Sequence, residues 1–164
     1  MYSEAMTRRA LLTAAVAAGC LSPRALVGRE EDPWFGTWRL DPDRSARRST
    51  SSPYTRVTLR IEPWEDGLTV IYDMVGTRGG VTHVEWRGRF DGRDYAVQGV
   101  DYVLTNAYRR IGDRRYEIVV KVDGATAATA VAEVSPDGRT LTVETAERAG
   151  SGETVETTAV YERQ

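Results

Sequence analysis

The sequence predicts an all-β fold, an antiparallel up-and-down β-barrel of about 8 to 10 strands. Three observations carry that prediction. From Trp34 onward nearly every segment alternates apolar and polar residues with period two, no stretch holds a 3.6-residue period, and Asp-Gly turn signals separate the segments. Phe35 to Leu40 opens the series. In Thr55 to Glu62, Val57, Leu59 and Ile61 share one face while Arg56, Thr58 and Arg60 share the other, the pattern of a half-buried strand. Glu65-Asp66-Gly67 turns the chain into Leu68 to Val75, where Leu68, Val70, Tyr72 and Met74 continue the apolar face. The Gly76 to Gly80 loop leads into Val81 to Phe90, followed by a short piece near Tyr95 and then by Asp101 to Arg109. Arg115 to Val122, Ala125 to Ser135, Thr140 to Ala146 and Thr154 to Glu162 complete the set. Asp91-Gly92, Gly112-Asp113, Asp123-Gly124 and Pro136-Asp137-Gly138 are hairpin turns, in which Gly supplies positive φ and Asp bonds back to the backbone. Connections this short force sequential antiparallel pairing, and a meander of many strands closes so that no edge is left unpaired. The longest irregular stretch, Asp41 to Pro53, with Arg44, Arg47, Arg48 and a Ser/Thr run, reads as a solvated loop, with a short helix or a lid over one barrel end as the alternative.

Composition narrows the chemistry. The 164 residues are 41% hydrophobic and 28% charged, a globular composition of one-domain length. The net charge of −2 comes from 22 basic and 24 acidic residues dispersed along the chain, so nucleic acid is not an expected partner. One cysteine and one histidine exclude a disulfide framework and a Cys/His zinc cluster, and leave little supply of the commonest general base. The glycines sit in turns, and neither a phosphate-binding Gly-rich loop nor a Gly-x-Ser-x-Gly nucleophile turn is present. No cofactor and no metal is implied.

Residues 1–32 read as an export signal and linker, and 33–164 as the barrel domain. Thr7-Arg8-Arg9-Ala10-Leu11-Leu12 resembles a twin-arginine export signal, with Met1 and Met6 as alternative starts. The apolar run Ala10 to Gly19 reaches about half of a ~30 Å hydrocarbon core, too short for a transmembrane span. Ala17-Ala18-Gly19-Cys20 resembles a lipobox, although Ala17 stands where leucine is usual. Lipidation of Cys20, cleavage after Ala15-Val16-Ala17, and a bystander thiol in a discarded leader all stay open. Each places the mature protein outside the cytoplasm, in the envelope, the periplasm or the medium, with a lipid anchor if Cys20 is modified.

The two ends of the domain, Phe35-Gly36-Thr37-Trp38-Arg39-Leu40 and Val160-Tyr161-Glu162-Arg163-Gln164, together resemble the ends of calycin barrels. With Phe90-Asp91-Gly92-Arg93-Asp94-Tyr95 and Val134-Ser135-Pro136-Asp137-Gly138-Arg139 between them, the ordered set resembles a family of secreted bacterial lipocalin-like proteins of uncharacterised function. The resemblance implies a lipocalin or fatty-acid-binding-protein-like barrel in which Gly36 and Trp38 form the opening motif and Arg163 packs on the indole at the closed end. It also implies a departure. Fatty-acid-binding proteins hold a carboxylate with Arg-x-Tyr near the C-terminus, and here Ala159-Val160-Tyr161 keeps only the tyrosine.

Phase along the strands picks out candidate ligand-lining groups: Tyr72, Trp86, Tyr102, Asn106, Tyr108, Tyr116 and Tyr161. Ring faces and hydroxyls around a cavity suit a small apolar or aromatic ligand. The alternative is that these rings fill the core. His83 has the opposite phase from Trp86 and reads as a surface group. Asp73, Glu117, Glu133, Glu144 and Glu156 alternate outward and form no acid/base pair at a recognised spacing. No catalytic residue is assigned. Three readings follow: a non-enzymatic binder of a small hydrophobic or aromatic molecule, an envelope interaction module with a filled barrel, and a small isomerase or cyclase using the interior. The oligomeric state is left open.

Overall fold

In the computed structural model, which describes residues 32–47 and 54–164, the described chain forms ten strands and no helix. The leader, Cys20 and the segment Arg48 to Pro53 lie outside the described residues. The strands are β1 (Gly36–Arg47), β2 (Tyr54–Trp64), β3 (Gly67–Gly76), β4 (Val81–Arg89), β5 (Tyr95–Gln98), β6 (Leu104–Gly112), β7 (Arg115–Val122), β8 (Ala125–Val134), β9 (Thr140–Arg148) and β10 (Thr154–Arg163). Each pairs antiparallel with its neighbours in sequence. β1 pairs with both β2 and β10, so the sheet closes into a barrel and the expected up-and-down topology is realised.

The period-two pattern sets the core. Val57, Leu59, Ile61, Leu68, Val70, Trp86, Ile118 and Leu141 are all buried toward one interior. The connections β2–β3, β4–β5, β6–β7 and β8–β9 lie at the same end as both termini of the domain, here called the base, and the other connections form the mouth.

The base is built around Trp38, which has no exposed surface. Its indole Nε1–H donates to Trp34 O at 3.0 Å. The Arg163 guanidinium sits 4.2 Å from the ring centroid, in the contact that the calycin resemblance implies. Arg163 also donates to Gly138 O (2.6 Å), to Phe35 O (2.7 Å) and to Pro33 O. Gly36 is required here twice over: its φ is +142°, and a Cβ would lie 2.6 Å from Arg163 Nη1.

Three elements differ from the sequence reading. Asp41 to Arg47 continues β1 rather than forming a loop, with a register shift between Asp41 and Ala46. Asp41 Oδ1 accepts the Asp43 and Arg44 N–H groups, while Ser45 Oγ donates to Asp41 O at 2.6 Å and accepts from Val160 N at 3.0 Å. A side-chain hydroxyl therefore replaces ladder bonds across the bulge. Secondly, β6 begins at Leu104 rather than Asp101, because the chain bends over residues 99–103 and Val103 O is taken by Asp123 N. Thirdly, Asp32, at the end of the expected linker, is built into the base. Its carboxylate accepts from Tyr116 Oη at 3.1 Å and from Trp34 N at 3.2 Å, and pairs with Arg110.

The wall is thinnest at β5, which is joined to β4 and to β6 by two residue pairs on each side. There the indole Nε1–H of Trp86 is shared between Tyr95 O and Asn106 O, each at 3.2 Å, and this side-chain donor bridges the sparse part of the ladder.

Candidate functional site

Inside the barrel, three tyrosines from strands that meet only after closure face one another. Tyr72 on β3 lies between Leu59 and Val84, Tyr108 on β6 opposite Ile118, and Tyr161 on β10 between Leu40 and Leu141. Every one of those partners is apolar. Burial pushes the Tyr72 hydroxyl up to about 12, and burial raises Tyr108 and Tyr161 further, with the neighbouring phenols adding to the shift. All three are neutral donors across the physiological range. None of these hydroxyls has a hydrogen-bond partner among the described residues, and none is fully enclosed.

Trp86 and Asn106 adjoin them. The Trp86 ring stacks on Tyr108 at 4.1 Å and 24°, and meets Tyr95 edge-on at 6.0 Å. Asn106 shares the inward phase of Tyr108, and its Oδ1 is buried without a donor. The amide makes no side-chain hydrogen bond among the described residues, so it offers an acceptor and a donor to whatever enters. Five sequence-identified residues, Tyr72, Trp86, Asn106, Tyr108 and Tyr161, thus belong to one interior region.

The other two candidates lie elsewhere. Tyr102 is 51% exposed in the bend before β6, because the strand that would have turned it inward begins two residues later. Tyr116 is buried, but at the base: its ring stacks on Phe90 at 4.7 Å and 6°, packs on Trp34 at 4.0 Å, and its hydroxyl is taken by Asp32. The Arg110 guanidinium caps Phe90 and Tyr116, 5.0 Å from each ring. Burial, then the Asp32 charge, pushes the Tyr116 hydroxyl far up. Asp32 and Arg110 are the polar residues of this cluster that the sequence reading missed, and their separation along the chain leaves no local signal.

The outer wall carries no comparable arrangement. His83 is exposed and its Nδ1 lies 2.7 Å from Asp73 Oδ1. A groove of about 370 Å³ between Glu117, Val131, Glu144 and Glu156 lies on the outward face of β7 to β10. Its Glu117 is already engaged by Arg109 Nε at 2.9 Å. Among the described residues no group of three or more His, Cys, Asp or Glu side chains is placed to hold a metal. Nor is any helix long and apolar enough to cross a membrane.

The fold and site define a ten-stranded closed antiparallel barrel with a closely packed base and a polar-aromatic interior. No family model matches the chain, and no curated protein matches it. Among solved structures, it is similar to zebrafish ileal bile acid-binding protein complexed with cholic acid, at 9% identity and a TM-score of 0.49, covering 80% of this chain and 99% of that one. It is also similar to the siderocalin Ex-FABP, described as having dual ligand specificities, at 14% identity and a TM-score of 0.38, covering 80% of this chain and 71% of that one.

Proposed function

We propose that this protein is a non-enzymatic binder of a small apolar or aromatic molecule, carried inside an exported barrel. One observation carries the reading: three neutral tyrosyl hydroxyls and an asparagine amide converge in the interior with no partner of their own. The enclosed Asn106 oxygen without a partner costs about 1–3 kcal/mol, which a bound molecule would offset, and the phenols offer that molecule further hydrogen bonds. Export rests on the Thr7-Arg8-Arg9 leader, and anchoring to a membrane on Cys20.

Native mass spectrometry of protein purified from its own host, with a dye-displacement titration on the stripped protein, tests the reading. A bound mass and saturable displacement are expected. A bare chain that takes up no dye refutes it.

A specific observation also favours contact with another macromolecule. Val81, at the mouth end of β4, and Tyr102 and Val103, on the connection between β5 and β6 at the mouth, are 72%, 51% and 62% exposed. Substituting all three with serine and repeating a pull-down from the envelope fraction separates this reading from the first, since ligand binding inside the barrel is not expected to change.

A further inference from the structure

The interior site also constrains what kind of molecule it takes, an inference that rests on the binding reading above. Two inward-phase arginines flank the site in sequence, Arg110 two residues from Tyr108 and Arg163 two residues from Tyr161. Both are committed at the base. Arg110 pairs with Asp32 and caps Phe90 and Tyr116, while Arg163 donates to three backbone carbonyls and covers Trp38. Among the described residues the strand positions around the three hydroxyls are otherwise apolar, and no cation faces them. An anion moved into such a place loses its hydration without gaining a counter-charge, a penalty of several kcal/mol per ion. The buried Asn106 Oδ1 adds a point of recognition, because an N–H or O–H on the bound molecule would supply its missing donor.

We infer that the barrel takes an uncharged molecule with an apolar body, whose hydrogen-bond donor meets the Asn106 amide and whose acceptor, where it has one, meets the hydroxyls of Tyr72, Tyr108 and Tyr161. The amide can rotate to present oxygen or nitrogen, so the requirement is for neutral donor and acceptor groups rather than for one fixed order.

Two fluorescent probes with one ring skeleton test this on the folded barrel. N-phenyl-1-naphthylamine is neutral and carries an N–H donor, and 1-anilinonaphthalene-8-sulfonate is its sulfonated anion. The neutral probe is expected to bind at least about tenfold more tightly, and Asn106→Leu to weaken it about fivefold, the size of one lost hydrogen bond. Because Asn106→Leu removes an unpaired buried amide at nearly constant volume, its unliganded melting temperature is expected to be unchanged or raised, which separates a lost contact from a lost fold. Gly80→Ala, outside the site and with nothing within 4 Å of an added Cβ, provides a control and is expected to leave the neutral probe bound. Equal or tighter binding of the sulfonate overturns the uncharged class. A neutral probe indifferent to Asn106→Leu overturns the assignment of Asn106. Binding of neither probe removes the binding reading itself, and this inference with it.

Discussion

Asp32 is the residue whose removal the structure prices most directly. Its carboxylate, 15% exposed, accepts from Tyr116 Oη at 3.1 Å and from Trp34 N at 3.2 Å and pairs with Arg110. In Asp32→Ala the phenol is stranded in a residue that is 1% exposed. An orphaned buried hydroxyl costs about 1–3 kcal/mol, a weakened backbone bond about 0.5–1.5 kcal/mol, and a half-exposed ion pair at most about 1 kcal/mol. The expected loss is about 3 kcal/mol. Tyr116→Phe keeps the stack on Phe90 and removes only the donor, for about 1–2 kcal/mol. The double variant has no stranded phenol, so it should lose about 1–2 kcal/mol less than the sum of the singles. Urea unfolding followed by tryptophan fluorescence, with m held constant, measures all four corners of the cycle. A coupling below about 0.3 kcal/mol refutes the reasoning, because the two groups then do not share a bond that matters.

Other consequences can be checked in the same system. Arg163→Lys keeps the charge over Trp38 but cannot fork to the carbonyls of Gly138, Phe35 and Pro33, and a loss of about 2–4 kcal/mol is expected in urea. Tyr72 is raised to about 12, and Tyr108, Tyr116 and Tyr161 are raised further. Each phenol's contribution is therefore complete below pH ~10, where the unfolded chain is still protonated, and is lost as pH rises toward the folded value, by up to about 1.4 kcal/mol per pH unit per group. Tyrosinate absorbance for these four should appear only as near-ultraviolet dichroism collapses; their titration near 10 in the folded protein would contradict their burial. A Cβ on Gly67 would lie 1.9 Å from Gly88 O and 2.7 Å from Arg89 Cα, backbone that cannot yield, so Gly67→Ala is expected to cost about 3 kcal/mol or more. Gly80, with nothing within 4 Å, is the control, and Gly80→Ala should be neutral within about 0.5 kcal/mol. Amides of β5, held by two residue pairs on each side, should exchange faster than those of β3 or β8.

The strands were legible because their signal is local. The side-chain period of a strand is two whatever it pairs with, so Val57, Leu59 and Ile61 announce their face without knowledge of β3. Turns such as Asp123-Gly124, where both residues take positive φ, are equally local. What could not be read is held by contacts across the closed sheet. The outer half of β1 has no alternation, and it is held as a strand from across the sheet, by its pairing of Ala46 with Thr158 and by Ser45 reaching Val160, 115 residues away. Asp32 looked like linker because its partners Arg110 and Tyr116 are 78 and 84 residues away. Tyr102 failed differently: phase assigns a side only where there is a strand, and residues 99–103 bend. Phase also placed Tyr72, Tyr108 and Tyr161 inside without giving their height, so their meeting was not legible before closure.

Base and interior of the barrel use the same residue types to opposite ends. At the base, Tyr116 has its carboxylate, Arg163 its carbonyls and Trp38 its acceptor, and apart from the indole N–H of Trp34 the polar atoms there are answered within the chain. Saturation of that kind rewards rigidity and leaves nothing for a ligand to gain. In the interior, three phenols and an amide have no partner among the described residues, and of their polar atoms the Asn106 oxygen is the one fully enclosed. Had selection acted only for stability, phenylalanine and leucine would serve at Tyr72, Tyr108, Tyr161 and Asn106, giving the same rings and volumes without polar atoms that go unanswered. Stability alone therefore does not explain these four side chains. On the binding reading proposed above, a molecule that supplied their missing partners would account for them, and it would stabilise the folded barrel more the more tightly it bound.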